Sequence, residues 1–72
     1  MYISLIIGKG VLDKNANTVG KVTDIDINFP QWTVNHLVVK TSFFKKLIIG
    51  VEKIDKIGDK VMLKGAKDEL VG

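Results

Sequence analysis

Two long alternating segments of this chain switch phase partway along. In residues 18 to 28, TVGKVTDIDIN, Val22 lies on one parity, while Ile25, Ile27 and the following Phe29 lie on the other. In residues 32 to 40, WTVNHLVVK, Trp32 and Val34 fall on even positions and Leu37 and Val39 on odd ones. Side chains of a strand alternate faces with a period of two, so a parity switch that keeps one apolar face needs a bulge or a sharp bend. The first bend is predicted near Thr23 and Asp24. Strands that bend in this way curl a sheet toward closure, and they set the terms for the rest of the chain.

The remaining segments read as short strands and turns. Residues 2 to 7, YISLII, are β-branched and aromatic, as strands are. GVL follows, then the polar turn cluster DKNANT. FPQW is a turn, with Pro30 suited to its second position, i+1. TSFFKK is a loop, LIIGV a buried strand, and EKIDKI a brief helical turn or a strand end. Gly58 and Asp59 form a tight turn between two short strands. No stretch carries a helical apolar face over three turns. The expectation is an all-β chain, a small antiparallel β-barrel of five to six short strands. One domain spans residues 1–64, and residues 65–72 form a weakly structured tail.

Composition removes several classes of function. A chain of 72 residues buries only about 60% of its unfolded surface, so staples or self-association are expected to help. There is no Cys, which excludes disulfides and thiolate metal sites, and with a single His a zinc site would need carboxylates for most of its ligands, an uncommon arrangement. No metal and no cofactor are expected. The longest apolar runs are three residues, against roughly 20 for a membrane span, so no direct membrane insertion is expected. The N-terminus has no basic leader or cleavage site, and KDEL at 67 to 70 is followed by Val71 and Gly72, so a cytoplasmic setting is expected. All eleven basic residues are Lys and none is Arg, which argues against a dedicated nucleic-acid binder. The lysines alternate with acids, as on a solvated surface.

The order of these pieces resembles the PRC-barrel family, named for the photosynthetic reaction-centre H subunit. The resemblance runs over residues 4 to 64. It is carried by Gly8-Lys9, Asp13, Val19 to Val22, Leu37 to Val39, Leu47 to Val51, Glu52 and Ile57 to Asp59. Two positions depart from the family pattern. Asn15-Ala16 stands where Asn-Gly is common, and Gly50 where Pro is common. An Ala in the left-handed region costs on the order of 1 kcal/mol, so the turn is expected to shift that conformation to Asn15 or Asn17. The resemblance implies docking or adapting, with no shared catalytic residues. The family includes a domain of a ribosome-maturation factor and small stand-alone archaeal proteins, some similar to cell-division adaptors.

Residue by residue, little points to chemistry. His36 has no second His or Cys beside it and reads as a surface or edge residue. Asp24 and Asp26 share one face of a strand, and they read as the polar face opposite Ile25 and Ile27. The glycines of GKG at 8 to 10 lack P-loop spacing and serve turns and bends. Phe43 and Phe44 are adjacent, so both cannot enter one small core. Together with Trp32 and Phe29 they are the candidate partner-binding residues, since exposed aromatics mark interfaces. Lys45 and Lys46 beside them give a weaker case for single-stranded nucleic acid. The reading is a non-enzymatic adaptor with no catalytic residues. Its expected partner is another protein, as a homodimer or a heterodimer with a similar barrel. An RNA- or ribosome-associated factor is the alternative.

Overall fold

The computed structural model describes residues 2–67. Six strands form one sheet: β1 (Gly10–Leu12), β2 (Thr18–Asn28), β3 (Thr33–Ser42), β4 (Lys45–Gly50), β5 (Ile54–Ile57) and β6 (Val61–Leu63). Their spatial order is β4-β3-β2-β1-β6-β5. The all-β expectation holds, with six strands. One junction departs from the antiparallel expectation. β1 and β6 run parallel, with Val11 beside Val61 and Leu12 beside Met62, so the sheet is mixed.

Every antiparallel pairing contains a register shift. In β2 against β3, Val22 faces Val39 and Asp24 faces Val38, leaving Thr23 as the extra residue. This is the bend that the parity switch predicted. Further along, Asp26 faces His36 and Ile27 faces Val34, so Asn35 is the extra residue on β3. That shift accounts for the second parity switch, between Val34 and Leu37. Further shifts fall at Val11/Leu12 in β1, Lys40/Ser42 in β3 and Ile54/Lys56 in β5. Each bulge adds twist and bends its strand.

The bends roll the sheet around one core. Val11, Val19, Val22, Leu37, Val39, Ile49, Val61 and Leu63 are buried in a single cluster drawn from five of the six strands. Ile6, Ile25, Leu47, Ile54 and Ile57 pack against it. Among the described residues, five of the eight buried hydrophobic side chains are Val, and none is aromatic. So small an interior suits short β-branched side chains. At Gly20 even a Cβ would collide with the Lys40 carbonyl on the neighbouring strand, so that position admits only glycine.

Residues 2 to 7 do not form the expected strand. Ile3–Leu5 is a single 3-10 turn, and Tyr2, Ile3, Leu5 and Ile7 are exposed while Ile6 reaches the core. Chain pairing starts only afterwards, where Gly8 N donates to the Val22 carbonyl and Val22 N to the Lys9 carbonyl. EKIDKI resolves into a 3-10 turn at Val51–Lys53 followed by β5. Gly58 lies in the turn of the β5–β6 hairpin, as expected.

Asp13 is the one buried charged residue among those described. Its Oδ1 accepts from the backbone N–H groups of Asn15 and Asn17, both at 2.8 Å. Its Oδ2 accepts from Lys67 N at 2.7 Å and from the Asn17 side-chain amide at 3.4 Å. Lys14 N also donates to the Gly65 carbonyl at 3.0 Å. One carboxylate therefore closes the β1–β2 turn and holds the segment after β6 against it. Residues 68–72 of the expected tail lie outside the described residues. Burial alone would raise the Asp13 pKa. The donors from Asn17, Lys67 and Asn15 overcome it and hold the carboxyl below its ordinary value.

The turn does not shift away from Ala16, contrary to expectation. Ala16 itself takes φ 64°. The flanking N–H groups of Asn15 and Asn17 are both tied to Asp13, which leaves the intervening residue the left-handed conformation.

Two outcomes follow from this turn. Ala16→Gly relieves the steric cost and raises stability by about 1 kcal/mol in urea denaturation. Asp13 has a lowered native pKa, so its contribution is complete above the ordinary Asp range and is lost as pH falls through the native value. Asp13→Asn sets an amide N–H against Lys67 N–H. Its Tm at neutral pH falls by on the order of 10 °C, and the acid limb of its Tm–pH profile is flatter than that of the parent chain.

Candidate functional site

The five aromatic residues sit outside the core, and four of them occupy the two ends of β3. At one end, the β2–β3 turn carries Phe29 and Trp32. The Trp32 backbone N–H donates to the Asn28 carbonyl at 2.7 Å, and the Phe29–Pro30 peptide is cis. The two rings meet edge to face with centroids 4.6 Å apart. They are nonetheless 61% and 75% exposed. This part of the hairpin runs past the core, and Val34 is exposed beside it. Trp32 stands in solvent rather than in the core. It also adopts φ 59°, a region that bulky side chains rarely visit.

At the other end, Ser42 pairs with Lys45 and the two residues between them are Phe43 and Phe44. Two-residue hairpin loops favour Gly and Asn, because the turns that match strand twist need positive φ. Neither Phe has positive φ. The bulge at Thr41 absorbs the mismatch, and the Thr41 hydroxyl donates to the Lys45 carbonyl at 3.3 Å. Phe43 and Phe44 are 88% and 98% exposed, with centroids 6.4 Å apart. Neither is tucked into the core. Lys40 Nζ lies 5.1 Å from the Phe43 ring centroid, a cation–π contact.

The four candidate residues do not form one patch. Two separate pairs stand at opposite ends of a strand whose contour is about 30 Å, at ~3.3 Å per residue. Strand order explains this: β3 begins at one turn and ends at the other.

The polar candidates keep structural partners. His36 Nδ1 lies 3.7 Å from Asp26 Oδ2, and the Asn35 side-chain amide donates to the same oxygen at 3.0 Å. Asp24 accepts from the Ile25 N–H at 2.8 Å. Asp24 and Asp26 are both exposed, while Ile25 packs against the core, so the alternation read from the sequence is present. No group of three or more His, Cys, Asp or Glu gathers as a metal site among the described residues. No helix among them is long and apolar enough to cross a membrane.

The sheet is open at two edges, β4 and β5. The β4 edge begins with Lys45 and Lys46, charges that discourage edge-to-edge pairing.

A comparison with known families matches residues 1–70 to the PRC-barrel domain. The chain belongs to the PRC-barrel family, and the rolled, bulged sheet is that fold. No curated protein matches the sequence.

Backbone strain at an exposed Trp gives a direct check on what this residue does. Trp32→Gly removes the left-handed penalty and the ring contact together, and the two are of similar size, about 1 kcal/mol each. Stability measured by chemical denaturation therefore changes by less than about 1 kcal/mol. A loss several times larger would make Trp32 a packing residue.

Proposed function

We propose that this chain is a non-enzymatic docking module that binds another protein through its aromatic turns, chiefly Phe43 and Phe44. The observation that carries the reading is the Phe-Phe turn. Two large apolar rings fill a position where folding favours Gly or Asn, and they remain 88% and 98% exposed. Aromatic side chains supply most of the energy at protein interfaces, where they fill pockets on the partner. The β4 edge is a weaker candidate, because Lys45 and Lys46 blunt it. A second copy of this barrel, or a similar barrel, is the first partner to test. The resemblance to stand-alone archaeal members, some similar to cell-division adaptors, makes a division protein the next.

A second reading, an RNA- or ribosome-associated factor, draws on Lys40 lying over Phe43, a mix of charge and ring found in single-strand binders. Capture that vanishes on nuclease treatment, with steep salt dependence, would replace the first reading with this one.

The test is the Phe43→Asp/Phe44→Asp double variant. It keeps the native circular dichroism spectrum, because neither ring is buried. It loses self-association in sedimentation equilibrium, or loses the proteins captured by the parent chain from nuclease-treated lysate. Unfolding of the variant, or undiminished association, would sink the proposal.

A further inference from the structure

Four lysines far apart in sequence line up across the outer face of the sheet. Lys46 of β4 stands opposite Lys40 of β3, and Lys40 stands opposite Lys21 of β2. Lys21 in turn stands opposite Gly10 of β1. Gly10 has no side chain, and Lys60 from the β5–β6 turn fills the place. Its Nζ lies 3.3 Å from where a Gly10 Cβ would be. Directly opposed residues of neighbouring strands share a face, and like charges so placed destabilise a sheet. None of the four has a carboxylate partner among the described residues. The described residues supply no countercharge that would account for the row by folding alone.

The row also borders a recess. Lys21, Lys40 and Lys60 line an open groove of about 510 Å³, walled on its apolar sides by Leu12 and Phe43. No acidic residue lines it among those described. With strands roughly 4.8 Å apart, four charges in a row span roughly 15 Å, the length of about five residues of extended chain.

The geometry points to this groove as the seat for an acidic segment of a partner protein, with carboxylates on the lysine row and one apolar side chain between Leu12 and Phe43. The inference rests on the docking reading and names the chemistry of the partner. Charge complementarity selects an anion. The groove's makeup selects a peptide over a nucleic acid. It offers one ring, already beneath Lys40, where a single-strand track needs rings for successive bases. Its cations are all Lys, without the Arg fork that grips phosphates.

The test uses the full chain labelled with ¹⁵N and four probes: an acidic hexapeptide containing one leucine, its glutamine-for-glutamate counterpart, oligouridylate, and phosphatidylglycerol vesicles. The acidic peptide is expected to shift the amides of Gly10, Lys21, Lys40 and Phe43, and the glutamine counterpart is not. The Lys21→Gln/Lys40→Gln variant binds the acidic peptide on the order of tenfold more weakly. Its Tm equals or exceeds that of the parent chain, most clearly at low salt, because repulsion is relieved. Equal binding by the variant, equal binding of the glutamine peptide, or a lowered Tm would overturn the inference. Binding of oligouridylate or vesicles alone would overturn it too. If the lysine variant keeps its protein partner while the Phe43/Phe44 variant loses it, the acidic-segment inference fails and docking stands. If neither variant affects association, both fail.

Discussion

The fold depends on a short parallel junction. Strands β2, β3 and β4 form a meander continuous with β1, and β5 and β6 form a separate hairpin. Among the described residues their strands pair only where β1 lies beside β6, over two residue pairs. Two pairs are a slight connection for half of a barrel wall. Asp13 extends it. Placed at the end of β1, its carboxylate reaches Lys67 beyond the end of β6, while its other oxygen holds the β1–β2 turn. A buried carboxylate is costly unless its acceptor sites are filled. Here they are, so the cost of burial is offset by bonds that join segments distant in the chain. Val11 and Val61, both fully buried, seal the same junction from the core side.

A core built around so small a radius decides where the aromatics go. Eight buried hydrophobic residues, mostly Val, fill the interior among the described residues, and the Gly20–Lys40 approach leaves no room for even a methyl group. Rings do not fit such a space, and the chain places them at turns. That separation gives the surface its character: aromatic pairs at both ends of β3, and a charged outer face between strands β4 and β1. The Phe43 turn lies where the two features meet, because Lys40 belongs to the lysine row and also covers the ring. The proposed docking turn and the lysine row are thus neighbouring parts of one surface, while Phe29 and Trp32 stand apart from it.

What the sequence by itself determined is local. The parity switch between Val22 and Ile25 required a bend near Thr23, and the switch between Val34 and Leu37 required another. Both are present as bulges, because alternation is a property of a strand and its immediate neighbours. The exposure of a Phe-Phe pair was also half legible, since adjacent residues of an extended chain face opposite ways. Other features were decided only by tertiary structure. The parallel contact of β1 with β6 joins residues about fifty positions apart, and no local pattern encodes it. YISLII has strand composition but gains no strand partner, so it coils into a turn. Ala16 is left-handed because Asp13 fixes the N–H groups on either side of it. Lys21, Lys40, Lys46 and Lys60 look like ordinary solvated lysines along the chain, interleaved with acids. Only cross-strand register turns them into a row, because register sets which distant side chains stand face to face.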